Sequence, residues 1–108
     1  MTPEILALER EADQLKVDGK PEEAIAKLQE ALAIDESFVR AHLGLSVLYN
    51  TAGDYEKSVS HAERAVELEP DDPFNMAALS VTYQRAFEGT KDPIFIQKAE
   101  DALARNNR

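Results

Sequence analysis

The sequence predicts an all-α fold, an α-solenoid of three antiparallel helix–turn–helix hairpins stacked in series. Three observations predict it. Apolar residues recur at helical spacing along almost the whole chain of 108 residues. Glycine, aspartate and proline interrupt that pattern at regular intervals, where helices stop and restart. No stretch sustains the period-two alternation of a strand, and no hairpin dipeptide separates β-branched runs.

In the first hairpin, Thr2 is placed to cap a helix, with Pro3 at its first position and Glu4 in its first turn. Ile5, Leu8, Ala12 and Leu15 continue at helical spacing until Gly19 breaks the run. Pro21 restarts a helix whose positive end suits Glu22 and Glu23. Its apolar stripe is Ala24, Ile25, Leu28, Ala31 and Leu32, and the hairpin ends near Asp35.

Ser37 is the expected cap of the third helix, whose stripe is Ala41, Leu45, Leu48 and Tyr49. Gly53 ends that helix and Asp54 caps the fourth, with Val59, Ala62, Ala65, Val66 and Leu68 facing inward and Pro70 as a stop. Asp72-Pro73 opens the fifth helix as cap and first residue. Met76, Leu79, Ser80 and Tyr83 carry its buried face, and the expected turn lies around Gly89-Thr90. Asp92-Pro93 opens the sixth, with Ile96, Ala99, Ala102 and Leu103 expected inside. The tail Asn106-Asn107-Arg108 is expected to fray.

The hairpins are copies of one another. Gly19 and Gly53 are 34 residues apart, as are Ala31 and Ala65, Leu15 and Tyr49, and Tyr49 and Tyr83. Ser46 aligns with Ala12 and Ser80, and Ile25 with Val59. The middle copy carries Leu45, Ser46, Tyr49, then Gly53-Asp54-Tyr55, then Ala65 and Pro70. In period and pattern this resembles the tetratricopeptide repeat. The resemblance covers nearly the whole chain and implies a single domain over 1–108, a right-handed superhelical stack with repeats over about 4–37, 38–71 and 72–106. Small residues such as Ala12, Ser46 and Ser80 would let paired helices approach closely, while Leu45, Tyr49, Leu79 and Tyr83 fill the layer between hairpins.

There are departures from the family's pattern. Glu11 stands where Leu45 and Leu79 stand, which fits a first repeat with no neighbour before it. Leu8 and His42 replace a frequent Trp, and Ser58 replaces a usual Ala. The third repeat is about three residues longer, so the register after Tyr83 is open.

Composition narrows the function. The chain has no cysteine, which excludes disulfides, thiolate metal sites and cysteine nucleophiles. Trp is absent and aromatics make up 6%, so small and aliphatic residues must fill the core. Net charge is −9, distributed as −4 over residues 1–34, −6 over 35–72 and +1 over 73–108. That balance argues against nucleic acid. It reads either as a solvated surface or as a field steering a basic partner to the first two thirds. No apolar run is long enough to span a membrane. The start MTPEILALERE lacks the pattern of a signal peptide, so a cytoplasmic protein is expected unless a leader has been removed.

No catalytic constellation emerges: nothing supplies a nucleophile, a base and oxyanion donors together. His42 and His61 lack a metal-ligand spacing to each other or to carboxylates, and packing or surface placement accounts for them. Asp54, Asp71 and Asp72 lack the spacing of a calcium loop and read as helix caps. The glycines form no phosphate loop, so no metal or cofactor is expected.

The resemblance implies a concave groove lined by the first helix of each repeat, taking a peptide or helix segment. Its residues would be Glu9 and Asp13 in the first repeat, Arg40, Leu43, Val47 and Asn50 in the second, and Phe74, Ala77, Val81, Gln84 and Arg85 in the third. The blander alternative is that Leu43, Val47 and Val81 pack against second helices. Some family members hold the carboxylate tail of heat-shock chaperones with a Lys-Asn-Asn-Lys-Arg clamp. The matching positions here are Glu9, Asp13, Gly44, Phe74 and Ala78, which cannot perform that role. The expectation is therefore a non-catalytic adaptor for a protein or peptide other than a chaperone tail. The other reading is a structural protein that self-associates, for instance as a homodimer, through the end bearing Ile94 and Phe95.

Overall fold

The computed structural model describes residues 2–106 and contains six α-helices. They are α1 (Pro3–Val17), α2 (Pro21–Ile34), α3 (Val39–Thr51), α4 (Tyr55–Leu68), α5 (Pro73–Thr90) and α6 (Ile94–Asn106). No strand occurs among the described residues. Each helix packs on its neighbours in sequence, and α3 also touches α5. This serial packing makes a hairpin solenoid with extents of 38 × 28 × 19 Å. None of the six helices is long and apolar enough to cross a membrane.

Local chemistry sets most helix ends. The Thr2 hydroxyl accepts from the Ile5 N–H at 3.3 Å. Asp54 accepts from the Lys57 N–H at 3.2 Å and Asp72 from the Phe74 N–H at 2.8 Å, so each cap satisfies a backbone donor that the first turn leaves open. Asp92 does the same for Ile94 at 3.1 Å. Gly19 and Gly53 end their hairpin's first helix with φ of +73° and +83°, a conformation that other side chains resist.

Two expected boundaries are corrected. Ser37 does not cap α3; Phe38 takes that place without a side-chain bond. The Ser37 hydroxyl and N–H are both committed to the Asp35 carboxylate, at 2.6 and 3.0 Å, which closes a local turn and holds Asp35 below the usual carboxylate range. Gly89-Thr90 is not a turn either. α5 runs through both residues and stops at Lys91, in the left-handed region at φ 63°. Gly89 is helical, and the Tyr55 ring of α4 lies where a Cβ at this position would be. Of the expected frayed tail, Asn106 belongs to α6, and Asn107 and Arg108 lie outside the described residues.

The core has two apolar clusters, one around Leu28, Ala41 and Leu45, the other around Val66, Leu79 and Tyr83. A polar layer joins the helices between them. Ser58 donates to the Ser46 carbonyl at 2.7 Å, and the Ser46 hydroxyl lies 3.3 Å from those of Ser58 and Thr82. A serine therefore replaces alanine at position 58 without leaving a buried hydroxyl unpaired. Ala12, Ser46 and Ser80 are all buried, as close helix approach requires. Glu11 instead sits at the surface, paired with Lys27 at 3.2 Å.

Stacking between hairpins uses one device twice. The Tyr49 hydroxyl accepts from Gln29 at 2.7 Å, and the Tyr83 hydroxyl donates to Glu63 at 2.6 Å. Each partner lies 20 residues upstream on the preceding hairpin. Burial, with Glu63 beside it, holds the Tyr83 phenol protonated well above its ordinary range.

α6 departs from the expected inward set. Ala99 and Ala102 are buried, but Ile96 and Leu103 are exposed because nothing among the described residues covers that face. Phe95 turns inward instead and stacks on Tyr83, with ring centroids 6.4 Å apart.

Candidate functional site

The exposed apolar residues of α3 and α5 gather on one side of the stack. Leu45, Leu48 and Tyr49 point α3 into the core, which directs Val47 to the opposite face. Leu79, Ser80 and Tyr83 do the same on α5, leaving Val81 outward. Val47, Phe74 and Val81 are 53%, 69% and 43% exposed, far more than their packing neighbours on the same helices. Between the two helices lies a trough of about 310 Å³ lined by Leu43, Val47, Phe74, Ala77, Ala78 and Val81, with Ser46 and Thr82 at its floor and Arg85 at one end.

At its other end the trough runs into a second depression of about 410 Å³, and Leu43 and Phe74 are walls of both. Here the lining changes to Asp35, Glu69 and Asp72, with Arg40. Arg40 is forked onto Glu9 of α1 by two bonds of 2.8 Å, which favours its charged form. Its charge is thereby matched within the protein.

A separate depression of about 380 Å³ lies between α5 and α6, lined by Gln84, Phe87, Ile96, Ala99 and Leu103 with Glu88 and Glu100.

The two histidines meet inside the middle hairpin. His42 is buried, and its Nδ1 lies 3.0 Å from Nδ1 of His61 while its Nε2 lies 2.8 Å from the Glu36 carbonyl. The carbonyl only accepts, so His42 carries its proton on Nε2 and His61 donates from Nδ1. His61 also stacks on Tyr49 at 5.7 Å. Burial, then His42, then Lys57 lower the His61 pKa below its ordinary 6.5. The unfolded chain therefore binds the proton first as pH falls. The stabilising contribution is complete above 6.5 and is lost as pH drops towards the lower folded value. The thermal midpoint should fall between about pH 7 and pH 5, and His61→Gln should flatten that fall. An equal fall in both proteins would remove His61 as the cause.

A family model for the tetratricopeptide repeat matches residues 18–80, more than half of the chain. The chain belongs to the tetratricopeptide repeat family. Its six helices accommodate about three repeats. Solved tetratricopeptide structures superpose on it. The second such domain of Spaghetti (RPAP3), bound to the HSP90 peptide SRMEEVD, matches at a TM-score of 0.77 and 16% identity, over 96% of this chain and 90% of that one. The first domain of the same protein, bound to the same peptide, gives 0.70 and 16% over 96% of each chain. Yeast Tom70 gives 0.65 and 22%, over 95% of this chain and 24% of that one. At these identities the likeness concerns the fold. No curated protein matches the sequence.

Among the tetratricopeptide residues expected to line a groove, the structure brings together Leu43, Val47, Phe74, Ala77, Val81 and Arg85, with Arg40 in the adjoining depression. Glu9 reaches this region through Arg40, whereas Asp13 pairs with Lys16 at 3.2 Å. Gln84 belongs to the α5–α6 depression, since its neighbour Arg85 takes the trough side of the helix. Asn50 does not line the trough; its Oδ1 is buried without a hydrogen-bond partner among the described residues. Of the two residues expected at a self-association surface, Ile94 is exposed and Phe95 is partly withdrawn onto Tyr83. Ser46 and Thr82 at the trough floor escaped the sequence reading, because a small polar residue at a packing position carries no sign of a cleft beside it. The Tyr49–Gln29 and Tyr83–Glu63 pairs had a usable signal, the 34-residue spacing of both members.

Proposed function

We propose that this protein is a non-catalytic interaction module that binds a short peptide or helix segment in the trough between α3 and α5. One observation carries the reading: Val47, Phe74 and Val81 are exposed side by side on helices whose other faces are buried. An exposed apolar strip in a concave surface is a partner-site signal. Two structures of similar fold hold a peptide, which supports the same class of partner here. In this reading the three repeats run over about 4–37, 38–71 and 72–106.

The chaperone tail itself is a poor fit. At the matching positions Glu9 and Asp13 are anionic and already paired with Arg40 and Lys16, and Gly44, Phe74 and Ala78 offer no cation or amide to its carboxylates. Of the two side chains expected at a self-association surface, Phe95 is partly withdrawn onto Tyr83 and Ile94 is exposed.

Peptides selected against the wild-type protein from a random displayed library test the reading. Val47→Glu combined with Val81→Glu should weaken the selected peptides by at least about tenfold, close to 1.4 kcal/mol, while helical content and solution mass stay unchanged. Retained binding by the folded double variant would place the site elsewhere.

A further inference from the structure

Resting on the trough as the binding site, we infer that its ligand is a segment with a large apolar side chain flanked on one side by Lys or Arg. The apolar group seats between Leu43, Val47 and Val81, and the cation lies over Asp35, Glu69 and Asp72.

The trough and the acidic depression share Leu43 and Phe74, so a single extended segment can occupy both. Consecutive side chains of an extended segment are about 3.3 Å apart along its axis, which puts an apolar anchor and a cation two or three positions away within reach of both ends. The acidic mouth keeps its negative charge among its surroundings. Among the described residues three carboxylates line it, and Arg40, the one cation there, is forked onto Glu9. The N-termini of α3 and α5 open nearby and contribute about half a positive charge each. The mouth remains net negative.

The opposite end sets direction. Arg85 lines it and makes no hydrogen bond or ion pair among the described residues. A ligand cation is therefore repelled from that end and attracted to the other, so the ligand's charge order fixes its orientation. An acidic ligand would set its carboxylates against Asp35, Glu69 and Asp72, a penalty at close range of the kind that separates right from wrong partners.

Four capped, fluorescein-labelled decapeptides provide the test by anisotropy. One carries a central Leu followed by two Lys residues. Two others replace the lysines with Ser or with Glu, and the fourth replaces the Leu with Ser. The Leu–Lys probe should bind at least tenfold more tightly than the Leu–Glu probe at about 20 mM salt, and the preference should shrink at about 0.5 M as the charges are screened. Glu69→Lys should erase most of the preference, and Val81→Glu should abolish binding of the Leu–Lys probe. Loss of the Leu should weaken it to the same degree. If the Ser or Glu probe binds equally well and Val81→Glu still removes it, the charge inference is overturned and the trough stands. If no probe shows binding sensitive to Val81→Glu, both fail.

Discussion

Leu45→Ala is expected to lower the unfolding free energy by about 2–5 kcal/mol, while Val47→Ala, two residues away on the same helix, changes it by less than about 0.5 kcal/mol. Leu45 is 0% exposed within the first apolar cluster, so truncation both removes buried methyl groups and leaves a cavity. Val47 is 53% exposed on the trough side and gives up little contact. Chemical denaturation followed by circular dichroism measures both values. A large loss for Val47→Ala would mean that this side of α3 is packed in solution, and the binding trough would have to be abandoned.

Gly89→Ala should destabilise the protein by about 1–3 kcal/mol, although the change lies inside a helix where alanine is ordinarily the better residue by about 1 kcal/mol. The new Cβ would overlap the Tyr55 ring at its Cζ, Cε2 and hydroxyl. Tyr55 packs against the second apolar cluster, so moving it exposes apolar surface and disturbs the α4–α5 contact. Tyr55→Leu removes those three atoms. In that background Gly89→Ala should become neutral or stabilising by about 0.5–1 kcal/mol. The four proteins form a double-mutant cycle, and equal losses in both backgrounds would rule out the overlap as the cause.

These two predictions divide what was legible in the sequence from what was not. Leu45 and Val47 could be told apart beforehand, because a helix of known phase assigns each residue to a face. The same logic located Thr2, Asp54 and Asp72 as caps and Gly19 and Gly53 as ends, since each acts on backbone groups within a few residues of itself. Glycine usually breaks a helix, so the sequence predicts a turn at Gly89. Its actual role is to make room for a ring 34 positions earlier, and nothing near it in sequence reports that contact. Ser37 failed for a related reason: Asp35 competed for its hydroxyl and won.

The site divides in the same way. The tetratricopeptide resemblance implied that Leu43, Val47, Phe74, Ala77 and Val81 line one groove, and the trough between α3 and α5 is lined by all five. The resemblance could not show that Arg40 would be neutralised by Glu9, that Gln84 would turn towards α6, or that Phe95 would fold onto Tyr83. By itself the sequence determined the helices, their order, the repeat and the buried faces of α1 to α5. Those follow from short-range geometry, which a 3.6-residue period and a cap spell out locally. Only the tertiary structure decided which charges meet, which apolar residues stay uncovered and where the two depressions join. Those outcomes depend on distances between residues 12 or more positions apart, and such distances exist only once the helices have packed.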